Sequence, residues 1–278
     1  DLLARLVAQK LTEAFGSSFI VDNRPCAAGN LAGDIVAQAN PDGYTMLMAN
    51  STIAIPSLSV KLPFDVRKDF LPLSLIALGP SVLVVHPSLP AKDVKGLVAL
   101  AKSKPKALSF GSGGVGNVTH LAMEMLMSTA GIDMVHIPYK GGGQAIIDLS
   151  GGQVPAAVLG SSTVIPQAKA GRVRILAVTS KKRSAALPDV PTLDESGLTG
   201  FDVYQWTAML APAKTPKAVI SRLNTEINTI LKQPAARDKL QAAGFEAQPS
   251  SPEEVAKLIN DGMARWGKLI QELKLDLR

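Results

Sequence analysis

Residues 108–117 read Leu-Ser-Phe-Gly-Ser-Gly-Gly-Val-Gly-Asn, and residues 118–130 continue Val-Thr-His-Leu-Ala-Met-Glu-Met-Leu-Met-Ser-Thr-Ala. A short apolar run, a glycine-rich turn and then apolar residues at helical spacing make a strand–loop–helix unit. Asn117 is a residue type that caps helix N-termini. The pattern predicts a strand over Leu108–Phe110 and a helix over Asn117–Ala130. Such units, repeated, define an α/β fold.

The alternation extends in both directions. Upstream, a strand is predicted over Val82–Val85 and a helix over Val94–Ser103. Downstream follow a strand at Met134–Pro138, a helix at Gln144–Leu149, and strands at Val154–Leu159 and Ile175–Thr179. The first fifty residues do the same. A helix over Leu2–Phe15 is stopped by Gly16, and a strand follows at Phe19–Asp22. After a loop of small residues at Asn23–Asn30, a helix at Leu31–Ala39 ends before the turn Asn40-Pro41-Asp42-Gly43. A strand at Tyr44–Ala49 closes this part. The order predicts a parallel sheet flanked by helices. The last seventy residues are mostly helical, with helices at Lys217–Lys232, Ala235–Ala243 and Pro252–Leu273. Two stretches, Pro80–Pro90 and Trp206–Pro216, combine an apolar strand with prolines. They predict crossings between two lobes: residues 1–84 and 210–278 in one, residues 85–209 in the other.

The chain has 278 residues, 46% of them hydrophobic, enough for one large or two ordinary domains with ample core. It lacks the run of ~18 apolar residues that a membrane-spanning helix needs. Net charge is +6, from 29 basic against 23 acidic residues. The densest basic clusters, Lys181-Lys182-Arg183 and Arg172/Arg174, have no aromatic neighbours, so nucleic-acid binding is not expected. A single cysteine, Cys26, makes neither an internal disulfide nor a metal site. The abrupt helical start at Asp1 suggests processing or truncation upstream.

Gly111, Gly113 and Gly116 satisfy the spacing G-x-G-x-x-G. A dinucleotide site also needs an acid at the far end of the next strand, and Asp133 stands at its start. The physics under the motif is more general: glycines before a helix aim backbone N–H groups at an anion, and the helix dipole adds to their effect. Tyr139-Lys140-Gly141-Gly142-Gly143 is a second loop of this kind. Two such loops point to a carboxylate or phosphate ligand. A P-loop is absent, and Ser112 lacks the glycine two positions before it that a nucleophile elbow needs, since Phe110 stands there. His86 and His136 read as structural histidines. His120, one turn into its helix, is placed to approach a ligand. Asn50-Ser51-Thr52 and Ser161-Ser162-Thr163 gather small polar groups at strand ends, where ligands of open α/β sheets bind.

Many stretches resemble the substrate-binding proteins of tripartite tricarboxylate transporters, the Bug family of extracytoplasmic receptors. Among them are Asn23-Arg24-Pro25, Asn40-Pro41-Asp42-Gly43-Tyr44-Thr45, Lys61-Leu62-Pro63-Phe64-Asp65 and His136-Ile137-Pro138-Tyr139-Lys140-Gly141. The most specific are Leu176-Ala177-Val178-Thr179-Ser180 with Arg183 and Leu187-Pro188-Asp189-Val190-Pro191-Thr192. The resemblance implies a two-lobed periplasmic binding protein with two crossing strands and no enzymatic activity or cofactor. It would be a monomer in the periplasm that closes on a small carboxylate and delivers it to membrane permease subunits. A nucleotide-using enzyme and a ligand sensor uncoupled from transport are the alternatives. Carried over by position, the ligand residues are Ser112, Gly113, Gly114, Gly116, Asn117, Thr119 and His120. Tyr139, Gly141, Gly142, Ser161 and Ser162 join them, with Asn50 and Ser51 from the other lobe. The family also has a strand and a Pro-Gly-Gly loop ahead of the position of Asp1. This sequence departs from the family at Cys26, Ile55, Pro155 and Leu159-Gly160. Those changes suggest a less polar cleft and a mono- or dicarboxylate with an apolar body.

Overall fold

The computed structural model describes residues 1–24, 29–58 and 61–277. Cys26, where the resemblance expects a reshaped turn, lies outside the described residues. Helix α1 (Leu2–Phe15) buries Leu3, Leu6, Val7 and Leu11 along one face. It ends where Gly16 takes a left-handed φ of 66° and its N–H bonds the Thr12 carbonyl, the usual glycine stop. Helix α2 (Asn30–Ala37) and strand β1 (Leu47–Asn50) follow.

The element that organises the molecule is β2, Phe70–Val85, sixteen residues and almost wholly buried. The sequence reading found only its last four residues; the strand also carries two prolines, Pro72 and Pro80. The strand absorbs both. Its ladder with β7 (Tyr204–Pro212) shifts register between Pro72 and Ser74, and Pro80 stands at the final pair, opposite Tyr204. A proline has no N–H to give a ladder, and here the ladder is already shifting or ending. Beyond Pro80, β2 changes partners, pairing with β5 (Ala156–Gly160) and β6 (Arg174–Val178).

The strands form an array in the order β1-β7-β2-β5-β3-β4, with β3 at Ser109–Ser112 and β4 at Val135–Pro138. Strands β6 and β8 (Glu246–Ala247) also pair with β2. The expected parallel sheet is corrected: among the described residues, the parallel strand pairs are those of β3 with β4 and β5, and every pair made by β2 or β7 is antiparallel. A chain that crosses on β2 and returns on β7 must run the two side by side in opposite directions. Phe19–Asp22 is not a strand. Its Phe19 N–H donates to the Thr12 hydroxyl instead.

Helices α3 (Val94–Ser103), α4 (Val118–Ala130), α5 (Gly142–Ser150) and α6 (Ser161–Lys169) cover the second half of the array. Helix α6 escaped the sequence reading, since Ser-Ser-Thr at its start and Pro166 inside it hide the helical pattern. Helices α7 (Lys217–Lys232), α8 (Pro234–Ala242) and α9 (Pro252–Leu273) complete the chain. Ser251 and Glu254 start α9 with a reciprocal capping box. Val255 and Ile259 pack with β1 and β7 around Trp206, whereas Trp266 and Ile270 join the core of α3, α4 and Phe110. Thus one helix is rooted in both halves, and Arg265 fastens it further by donating to the Asp202 carbonyl.

Candidate functional site

Three helices begin at one cleft of roughly 480 Å³. Leu2, Leu3 and Ala4 of the first turn of α1 form one wall, Asn117 and Val118 at the start of α4 another, and Ser162 in the first turn of α6 a third. First-turn N–H groups have no acceptor within their own helix. Their exposure gives each terminus a partial positive charge, worth about 0.3–1 kcal/mol to a nearby anion at exposed sites. The floor is the crossing strand β7, through Gln205, Trp206 and Thr207, and Asn50, the last residue of β1, stands with Ser51 and Thr52 at its edge.

The polar side chains are oriented by bonds to their own backbone. Asn117 Oδ1 accepts from the Thr119 N–H and hydroxyl, each at 3.0 Å. Asn50 Oδ1 accepts from the Thr52 N–H at 2.9 Å. In both residues the oxygen is engaged, so the NH₂ is the end offered outward. Gln205 is anchored across the crossing, its Nε2 donating to Ser81 Oγ of β2 at 3.0 Å. Among the described residues, no Lys or Arg lines the cleft. Its acidic side chain, Asp1, is tied to Arg5 at 2.8 Å and to Asn23 at 2.7 Å. Met48, Ala49, Trp206 and Phe245 supply apolar surface. The arrangement can hold an anion with neutral donors and cover an apolar body.

Of the residues expected from sequence, Asn50, Ser51, Asn117 and Ser162 line this cleft. The others are placed around it. Gly113 donates its N–H to Thr119 Oγ1, Gly114 donates to Ser112 Oγ, and Gly116 donates to His120 Nδ1. Ser112, Thr119 and His120 are buried, so these contacts set the loop's shape. Gly114 has a φ of 123°, and a Cβ there would stand 2.9 Å from the Tyr139 carbonyl, which explains the glycine. Tyr139 donates its hydroxyl to Asp148 at 2.9 Å, and burial, with Asp148 beside it, pushes its pKa up to about 12. Gly141 caps α5 at a φ of 116°, and Gly142 is the first residue of that helix. The Ser161 hydroxyl is buried and donates to the Gly244 carbonyl at 2.9 Å. Ile55 and Leu159 are fully buried, and the Pro155 carbonyl accepts from the His86 N–H. None of these three is in the cleft lining, so its apolar character comes from other residues. Sequence reasoning missed the first turn of α1, Gln205, Thr207 and Phe245, whereas Thr52 was among the polar groups expected at the end of its strand. A signal for Thr207 was present, since it lies in the predicted return crossing Trp206–Pro216, and Gln205 directly precedes that stretch.

Known proteins share this architecture. The family model described as "Tripartite tricarboxylate transporter family receptor" matches residues 3–275. A solved structure titled "R. palustris Rpa4515 with adipate" superposes with a TM-score of 0.93 at 33% identity, covering 98% of this chain and 91% of that one. The periplasmic binding protein BugD gives a TM-score of 0.90 at 30% identity, over 99% and 93% of the two chains. MatC from Rhodopseudomonas palustris, solved with bound malate, gives 0.88 at 28% identity over 97% and 94%. The fold is therefore the two-lobed one of periplasmic binding proteins, with β2 and β7 as the two crossing strands.

Proposed function

Because the chain belongs to the tripartite tricarboxylate transporter receptor family, we propose that it captures a small carboxylate and passes it to the membrane subunits of such a transporter. It would act in the periplasm as a monomer. In this reading residues 1–84 and 210–278 form one lobe and residues 85–209 the other, and they close about β2 and β7 by hinge motion. The observation that carries the reading is the meeting of three helix N-termini in a cleft that, among the described residues, no Lys or Arg lines. Such a site suits carboxylates held by amide donors. Relatives solved with adipate and with malate support the same ligand class.

The apolar lining favours a mono- or dicarboxylate with an apolar body over a tricarboxylate. Each carboxylate brought out of water must be repaid by donors, and Met48, Ala49, Trp206 and Phe245 have none to give at their apolar atoms. Thermal shift against adipate, malate, shorter monocarboxylates, citrate and NAD tests this. Ligand at about 100 times its Kd stabilises the folded state by about 2.7 kcal/mol. The midpoint is expected to rise with one or two of the less charged acids and to stay put with citrate and NAD. A larger rise with citrate would remove the apolar-body argument. A rise with NAD would instead favour a nucleotide in the glycine loop.

A further inference from the structure

The loop that presents Asn117 rests on a pair of stacked histidines. The rings of His120 and His136 lie 3.9 Å apart and 9° from parallel, and Phe110 stacks on His136 at 4.8 Å. His120 Nδ1 accepts from the Gly116 N–H at 3.3 Å, so that nitrogen carries no proton and Nε2 faces Glu124 at 3.4 Å. His136 Nε2 lies 2.7 Å from Ser112 Oγ, which in turn accepts from the Gly114 N–H at 3.1 Å. Both ends of the loop therefore depend on an imidazole: Ser112 and Gly114 on His136, Gly116 on His120.

We propose that His120 and His136 are positioning residues for the cleft loop, and that protonation of the stacked pair releases the Gly116 bond and moves Asn117 out of its cleft-facing conformation. A proton can be added to His120 only at Nδ1, the atom that receives the Gly116 N–H. A proton added to His136 sets a positive charge against a second imidazole and the buried face of Phe110. Burial first, and then His120, lowers the His136 pKa from 6.5 to about 4, so His136 is neutral near pH 7 and gains a proton only in acid. The titratable groups on the elements packed around the pair are Glu124 on α4, Tyr139 with its partner Asp148 on α5, and Asp133 before β4, paired with Lys106. Lys274 and Asp276 lie on the C-terminal tail, whose Leu277 packs against the same core. The bearing of this device on ligand capture rests on the receptor reading above. The device itself is internal to the region around β3, α4 and β4.

The test is a ¹⁵N NMR pH titration of the full chain without ligand, which separates it from any failure of the receptor reading. In the wild type, the amides of Gly114, Gly116 and Asn117 are expected to shift together with the imidazole nitrogens as the pH is lowered. The amides of Ala208 and Met209 in β7, which report on the fold, should not follow. In His120→Asn, whose side-chain oxygen still accepts from Gly116 and takes no proton, the Gly116 amide should lose its pH response. Imidazoles that titrate while the loop amides stay fixed would overturn the proposal. So would a Gly116 transition that survives unchanged in His120→Asn.

Discussion

Asn117→Asp is expected to reduce carboxylate affinity by about 100-fold or more while leaving the protein as stable as before. Aspartate caps a helix as well as asparagine, and its oxygen can take over both bonds from Thr119. A negative charge at the start of α4 also suits the helix dipole. What changes is the face turned to the cleft, where an NH₂ donor becomes a second carboxylate. Loss of a hydrogen bond to a charged group costs about 1.5–3 kcal/mol, and repulsion between like charges adds to it. Each 1.4 kcal/mol is a factor of about ten in affinity. Isothermal calorimetry with the acid that gives the largest thermal shift, beside a urea melt of the free protein, reads both effects. Affinity within threefold of wild type would remove Asn117 from the site. Asn117→Ala is the milder companion: it loses donor and cap together, and about 1–2 kcal/mol of binding with them.

Phe110→Ala is expected to cost about 3–5 kcal/mol of folding stability, the range for emptying a buried aromatic site. Phe110 is fully buried in the core shared by α3, α4 and the end of α9. It also stacks on His136, so the vacated space lies directly against the imidazole pair that shapes the loop. Collapse into that space would displace His136 from Ser112, whereas rigidity would leave a cavity. Both are unfavourable in a close-packed interior. Such a loss is a large part of the ~5–15 kcal/mol that holds a domain together. In urea the unfolding midpoint should fall with little change in slope. A loss under about 1 kcal/mol would show that Phe110 is not a structural keystone of this half.

Much of the helical framework was legible because long amphipathic helices announce themselves through period and caps. The predicted bounds of Leu2–Phe15, Val94–Ser103, Lys217–Lys232 and Pro252–Leu273 match the helices of the structure. Sheet direction was not legible. Alternating elements suggested parallel neighbours, but pairing is settled by where the chain crosses, and the crossing strand β2 carries two prolines that local rules treat as breaks. The site was legible where a residue's role follows from its local position. Asn117 caps a helix after a glycine loop, and it stands in the cleft. It was illegible where the cleft is assembled from distant pieces, such as Phe245 beside Ser162 and the first turn of α1 beside β7. Ser161 illustrates the limit. Its neighbour Ser162 faces the cleft, while its own hydroxyl bonds the Gly244 carbonyl 83 positions away, and no local pattern separates the two.

The central claim is that a carboxylate is held where the N-termini of α1, α4 and α6 meet. The most direct measurement is a ¹⁵N NMR titration of the protein with the acid selected by thermal shift, at neutral pH. Saturable shifts should concentrate on the amides of Leu3, Val118 and Ser162 and on the side-chain NH₂ groups of Asn50 and Asn117. Saturable shifts confined to the Tyr139–Gly143 loop, with those groups unmoved, would contradict it.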